Sequence, residues 1–362
     1  MRIDNRPMRT IWHDEDGGPV RIIDQTALPH RLIIRELRTL EDCCEAIRTM
    51  RVRGAPLIGA TAAHGLAIAL AANASNAHLE KAYHELLGTR PTAVNLRWAL
   101  DRVVSLVRPV EPSERPAIAL LEAVRICDDD ARICEAIGET GLPILHSLHA
   151  RNSDRPLNIL THCNAGWLAT VDWGTALAPI YKAHDAGIPL HVWVDETRPR
   201  NQGASLTAFE LREHGVPHTV IVDNAGGHLM QRGQVDAVLV GSDRTTASGD
   251  VCNKIGTYLK ALAAEANGIP FYVALPSSTI DWTIHDGIAD IPIEDRDASE
   301  VRQMEGMTND GEIGRIALFS EATPVANPAF DVTPAAYVTA LLTEHGVFQA
   351  NAEDLAQVAR KA

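Results

Sequence analysis

The sequence predicts an α/β fold: a C-terminal doubly wound, Rossmann-like parallel-sheet domain joined to a smaller, mainly helical N-terminal domain that carries a small β-sheet. Two observations predict it. From residue 157 onward, five short apolar, β-branched runs recur: LNILTH (157–162), LHVWVDE (190–196), HTVIVD (218–223), AVLVGSD (237–243) and FYVALP (271–276). Segments of helical length lie between them, at 174–186, 203–214, 225–233 and 253–267. Strands alternating with helices build a parallel sheet covered on both faces, and such double cover calls for continuously apolar strands.

Before residue 150 the rhythm differs. Two strand-like pieces, VRIID (20–24) and RLIIREL (31–37), precede a helix that Thr39 opens and that runs to Met50, with Asp42 in its first turn. The break Arg53-Gly54-Ala55-Pro56 leads into an Ala-rich helical run, LIGATAAHGLAIALAAN (57–73), whose small residues suit close packing. One further helix begins near Pro91, and a long one runs from about Pro112 to Ala150. The expected division is therefore 1–150, helical with a small sheet, and 151–362, Rossmann-like.

With 362 residues, 46% hydrophobic and 22% charged, the chain has ordinary globular composition and length for two domains. Its formal net charge of -14 repels phosphate backbones and anionic bilayers at long range, so neither nucleic acid nor membrane is expected as a partner. An anionic ligand would need a local cationic pocket. No charged-then-apolar leader follows Met1, and no uninterrupted apolar run nears the length that crosses a bilayer; a cytoplasmic protein is expected. The six cysteines form no C-x-x-C pair, which reads as reduced thiols. His146 and His149 can share a helix face but lack a nearby third ligand, so no metal is expected, and no cofactor either.

Open parallel sheets bind ligands outside the carboxyl ends of their strands. Here those ends carry Thr161-His162-Cys163-Asn164, Asp195-Glu196-Thr197-Arg198, Asp223-Asn224, Gly241-Ser242-Asp243-Arg244 and Pro276-Ser277-Ser278. The dinucleotide fingerprint, the P-loop and the nucleophile elbow are all missing from the sequence. A thiol near a helix N-terminus can have a lowered pKa and act as base or nucleophile, which makes Cys163 a candidate; inert core packing is the competing reading. Asp243 follows an apolar run. Burial disfavours its charged form, and a carboxyl kept protonated near neutrality can serve as a general acid; capping, or pairing with Arg244, is the alternative. Phosphate donors are Arg53, a bidentate fork beside Gly54, and Asn253-Lys254, read as opening a helix whose free amides favour anions. Arg90 and Gln202 precede or open other predicted helices.

The strings RVRGAPLIGATAAHG, LTHCNAGWLAT, VDETRPRNQGASLTAFEL, VGSDRTTASGDVCNKIGTYLKALAA, ALPSSTIDW and NPAFDVTPA resemble, in the same order and over most of the chain, the methylthioribose-1-phosphate isomerases of methionine salvage. The wider superfamily includes regulatory subunits of the initiation factor 2 exchange factor. The resemblance implies a catalytic Cys163 and a catalytic acid at Asp243. It also implies substrate contacts at Arg53, Gly54, Ala55, Arg90, Gln202, Asn253 and Lys254, and a homodimer. One departure is MEGMTNDGEIGRI (304–316), where the family is more Gly-rich.

The chemistry explains the residue types. In a sugar 1-phosphate the anomeric oxygen is esterified, so the ring opens only if something protonates the ring oxygen as its bond to C1 breaks. Asp243 fits that role. Cys163 then moves the C2 proton through an enediol-like species, or stabilises a hydride shift from C2 to C1. Both routes need water kept out. Alternative readings are an isomerase of 5-deoxyribose 1-phosphate or ribose 1,5-bisphosphate, and a non-catalytic subunit of the exchange-factor type. The pocket for the C5 substituent separates the isomerases; Trp167 and the helix after Pro56 are candidates for lining it.

Overall fold

Seven strands from the second half of the chain pair into one sheet in the computed structural model, which describes residues 1–13, 18–90 and 94–361. They are β1 (Leu157–Thr161), β2 (Leu190–Asp195), β3 (His218–Ile221), β4 (Ala237–Val240), β5 (Phe271–Ala274), β6 (Ala340–Thr343) and β7 (Gly346–Phe348), in the order β7-β6-β5-β4-β1-β2-β3. All neighbours are parallel except β6 and β7. The five predicted strands are all present. Adjacent residues of β1 face opposite ways: Ile159 enters the apolar cluster on one side, Leu160 that on the other. Both are fully buried, each worth roughly 1.5–3 kcal/mol of hydrophobic stabilisation. The two edge strands, β3 and β7, leave central residues exposed, since each has a neighbour on one side alone.

The chain winds outward through β1, β2 and β3, then returns to place β4 on the other side of β1. The winding direction therefore reverses between β1 and β4, and a crevice opens there at the strands' carboxyl ends. Cys163 follows β1 and Asp243 follows β4.

The first half is helical: α1 (Leu40–Arg48), α2 (Ala55–Ala72), α3 (Asn76–Leu87), α4 (Val94–Val107) and α5 (Arg115–Arg151), beside a small sheet of Ile11–His13, Val20–Ile23 and Ile34–Leu37. Thr39 caps α1 in a reciprocal box with Asp42. The expected start near Pro91 lies outside the described residues, and α3 was not anticipated. By length and composition α2 could cross a bilayer, contrary to the reading that no run comes near that length. Most of it is buried inside the protein instead. Gly59 permits the close approach, since a Cβ there would stand 2.8 Å from the Asn95 carbonyl of α4. The long α5 serves two cores: Ala119, Ala123 and Ile126 pack among the helices, Ile137 and Leu145 against the sheet.

Between the sheet strands lie α6 (Leu177–Asp185), α7 (Ala208–His214), α8 (Ala225–Gln231) and α9 (Thr257–Ala266). The helix read over 253–267 starts late. Asn253 and Lys254 end a strand, Val251–Lys254, that pairs antiparallel with Arg244–Thr246 and with Phe330–Thr333. Those partners, one a hairpin neighbour and one distant in sequence, satisfy its backbone groups. Gly256, at φ +102°, then turns the chain into α9.

Candidate active site

The left-handed backbone of Cys163, φ +66°, is uncommon for a side-chain-bearing residue and is held from both ends. Its amide donates to Thr197 Oγ1 at 2.8 Å, and its carbonyl accepts from Thr207 Oγ1 at 2.7 Å. Thr197 is in turn anchored: its hydroxyl donates to the Asp195 carbonyl at 3.0 Å and its amide to Asp223 Oδ1 at 2.7 Å. The thiol is thus set by the ends of β1, β2 and the segment leading into α7.

Asn164, next in the chain, joins the two halves of the protein. Arg53 donates to its Oδ1 at 2.5 Å and to its carbonyl at 2.9 Å. The Asn164 amide donates to Glu210 Oε1 at 2.8 Å. Glu210 is fully buried and also receives the amides of Trp167 and Leu168 and the Tyr181 hydroxyl. Burial nonetheless pushes its carboxyl up to about 7.

Gly54 precedes α2 at φ +90°, and a Cβ there would lie 2.2 Å from the Ala169 carbonyl. The start of α2 has no side-chain cap, and Gly54 and Ala55 line a cavity. The helix N-terminus that favours an anion is therefore that of α2; the one expected at Asn253-Lys254 is replaced by a strand end.

Arg53, Gly54, Ala55, Arg90, Cys163, Gln202, Asp243, Asn253 and Lys254 all line this one cavity. Strand pairing, rather than helix position, delivers Lys254. Its ammonium donates to the Ala329 carbonyl at 2.9 Å and sits 4.7 Å from the centre of the Phe330 ring. Asn253 donates to Thr257 Oγ1 at 3.0 Å. Arg90 stands 3.6 Å from Glu294. Its Nε is buried without a hydrogen-bond partner among the described residues, and so is Gln202 Oε1. Unpaired buried polar atoms around a cavity are what a polar ligand would satisfy.

Burial dominates the titrations. It raises Asp243, against the pull of Lys254, Arg53 and Arg90, as expected for an acid that holds its proton. It lowers Lys254. Burial also raises Cys163, outweighing Arg53 and Lys254. The lowered thiol pKa read from the sequence is thus corrected, because the strand end lies deep in the protein and loses solvation.

Other lining residues gave no signal in the sequence: Met50, Ile291, Pro292 and Phe330 add apolar wall from scattered segments. Trp167 is 1% exposed and packs in the core, so it does not line the cavity as considered; of the helix after Pro56, Ile58 does. Beside Cys163, ligand-type atoms of His162, Asp195 and Asp223 lie within 4.8 Å of one another. Lys260 supplies a cation there, 3.1 Å from Asp195 Oδ2.

The model of the initiation factor 2 subunit family matches residues 51–350. The chain is 64% identical over 356 residues to a methylthioribose-1-phosphate isomerase of Methylorubrum extorquens, covering 98% of this chain and 97% of that one. It is 59% identical to a methylthioribose-1-phosphate isomerase of Paramagnetospirillum magneticum, covering 98% of each. Among solved structures it resembles the 5-methylthioribose 1-phosphate isomerase of Pyrococcus horikoshii, with TM-score 0.84 and 39% identity over 99% of this chain and 97% of that one. It also resembles the translation initiation factor eIF-2B subunit delta of A. fulgidus, with TM-score 0.80 and 37% identity over 97% and 100% of the two chains.

Proposed function

Because the chain belongs to the initiation factor 2 subunit family and, within it, to the methylthioribose-1-phosphate isomerases, we propose that it converts 5-methylthioribose 1-phosphate into 5-methylthioribulose 1-phosphate, the aldose–ketose step of methionine salvage. The observation that carries the reading is the meeting of a buried thiol and a half-buried acid at the reversal point of the sheet, in a cavity also lined by Arg53, Arg90 and Lys254.

In this reading the phosphate lies against the N-terminus of α2 and these cations, while Gln202 and Asn253 take hydroxyls. Asp243 gives its proton to the ring oxygen as the bond from that oxygen to C1 breaks. The C2 hydrogen passes to C1, directly as hydride or by way of an enediol-like species. The C2 hydroxyl becomes the ketone, and its proton returns to the Asp243 carboxylate. Cys163 beside this path takes up the C2 proton and passes it to C1 where it reacts as a thiolate, or stabilises the shifting charge as a neutral thiol. The apolar wall of Met50, Ile58, Ile291, Pro292 and Phe330 supports a thioether at C5, since a second phosphate would ask for further cations there. We take the active form to be a homodimer in the cytoplasm; sedimentation at working concentration tests the dimer.

Proton and phosphorus NMR with methylthioribose 1-phosphate in deuterated buffer tests the reaction. Conversion to the ketose is expected. Deuterium at C1 marks the proton-transfer route and its absence the hydride shift. Conversion of ribose 1,5-bisphosphate or 5-deoxyribose 1-phosphate in place of the thioether would redirect the substrate. The similarity to the A. fulgidus factor supports a second reading, a non-catalytic exchange-factor subunit. That reading gains if no sugar 1-phosphate is turned over.

A further inference from the structure

His162 stands one residue before the thiol, and both of its ring nitrogens are engaged. Nδ1 lies 2.8 Å from Asp195 Oδ2, and Nε2 lies 2.9 Å from the Ile255 carbonyl. A carbonyl oxygen only accepts, so Nε2 carries a proton; the line from Nδ1 to the carboxylate needs a second proton to join two acceptors. His162 is 1% exposed and Asp195 0%. Lys260 meets the same carboxylate and donates to the Asp223 carbonyl, supplying the positive charge of the cluster. Asp331, the next acid along, is taken up by the amides of Gly256 and Tyr258. The cluster therefore reads as a brace with its own cation.

Each arm of the brace ends on a different functional group. Through Asp195, whose carbonyl accepts from Thr197, it reaches the hydroxyl that receives the Cys163 amide. Through the Ile255 carbonyl it holds the Ile255–Gly256 peptide, one residue beyond Lys254. Gly256 allows this approach: a Cβ there would stand 3.0 Å from His162 Cε1. We infer that His162 is a positioning residue that sets the Cys163 thiol and the Lys254 ammonium relative to each other across the cavity. The inference rests on the reading of Cys163 as a reacting group and Lys254 as a phosphate ligand.

Two conservative variants separate the arms. The amide nitrogen of Gln stands where Nε2 does, so His162→Gln keeps the Ile255 arm and loosens the thiol. The amide nitrogen of Asn stands where Nδ1 does, so His162→Asn keeps the Asp195 arm and frees the Lys254 end. With methylthioribose 1-phosphate, His162→Gln is expected to lower kcat about tenfold or more with little change in KM, since small misplacements cost that much. His162→Asn is expected to raise KM more than it lowers kcat. Equal losses in both variants, or wild-type kinetics with only a lowered Tm, would reduce His162 to a packing residue. A separate readout needs no substrate: the Nε2 proton of the unliganded wild-type protein should be resolved by NMR and protected from exchange. Exchange as fast as that of an exposed histidine would overturn the brace even if turnover is normal. Absence of wild-type turnover would instead defeat the proposed reaction and leave the ring-proton result standing.

Discussion

Arg53 donates from both terminal nitrogens to one residue, Asn164, through its side-chain oxygen and its carbonyl. One guanidinium thereby ties the turn before α2 to the end of β1, so the helical half and the sheet half meet at the cavity. The planar fork is what lets a single side chain hold two acceptors and still line the cavity.

Arg53→Lys should therefore be a poor replacement. An ammonium keeps the charge but cannot make both bonds in that geometry. Steady-state kinetics are expected to show a rise in KM of about ten- to a hundredfold, one lost charge-assisted hydrogen bond being worth about 1.5–3 kcal/mol. Kinetics equal to wild type would mean that charge alone suffices at this position.

Asp243→Asn removes a proton donor and little else. A fall in kcat of about 10²–10⁴-fold with nearly unchanged KM is expected, the usual contribution of general acid catalysis. In the wild type the acid must be protonated to act, and burial raises it. Activity should accordingly persist above the ordinary carboxyl range and decline as pH rises past the shifted value. A matching loss of affinity would contradict the acid role.

Cys163→Ala should lower kcat and leave the fold intact, because the bonds that hold residue 163 come from its backbone. The raised thiol also predicts slow alkylation by iodoacetamide at neutral pH, slowed further by substrate. Fast labelling of the free protein would show a thiolate instead.

Glu210 offers a test on stability. Its carboxyl ionises near the ordinary 4.5 in the unfolded chain and at about 7 in the folded one. The protonated form thus favours folding at low pH, and that contribution is lost as pH rises through about 7. The difference is worth roughly 3 kcal/mol, from about 1.4 kcal/mol for each unit. Denaturant unfolding between pH 4.5 and 7 should show this slope in the wild type and a flatter one in Glu210→Gln. Parallel curves would place the ionisation elsewhere.

Gly54→Ala should damage binding more than folding. The added Cβ would collide with the Ala169 carbonyl, and the left-handed backbone disfavours it as well. Isothermal titration with inorganic phosphate is expected to show at least tenfold weaker binding, the displaced start of α2 being the anion's seat. Unchanged binding would move that seat away from α2.

The sequence made the parallel sheet readable because β4 and β5 are short apolar runs and β1 and β2 are predominantly apolar. Knowing where those strands end was enough to nominate Cys163 and Asp243. Lys254 was nominated on the wrong ground. Its strand pairs with Arg244–Thr246 nearby, but Asn253 and Lys254 themselves are paired with Asp331 and Phe330, some eighty positions later, and local pattern cannot register so distant a partner. Glu210 passed unnoticed for a similar reason, since four donors from three segments converge on an acid that looks like an ordinary helix residue. His162 and Asp195 were visible as strand-end residues, but nothing local said that they touch.

Helix α2 has a consequence for biosynthesis. Residues 55–72 leave the ribosome before most of the chain that covers them has been made, and the far end of α5 lies at Arg151. At about 5–20 residues per second, that gap keeps a span of bilayer-crossing composition uncovered for several seconds. During that interval the nascent chain presents the same face to chaperones and to the membrane-insertion machinery that a genuine anchor would. The speed at which α4 and α5 close over it decides which of them meets it first.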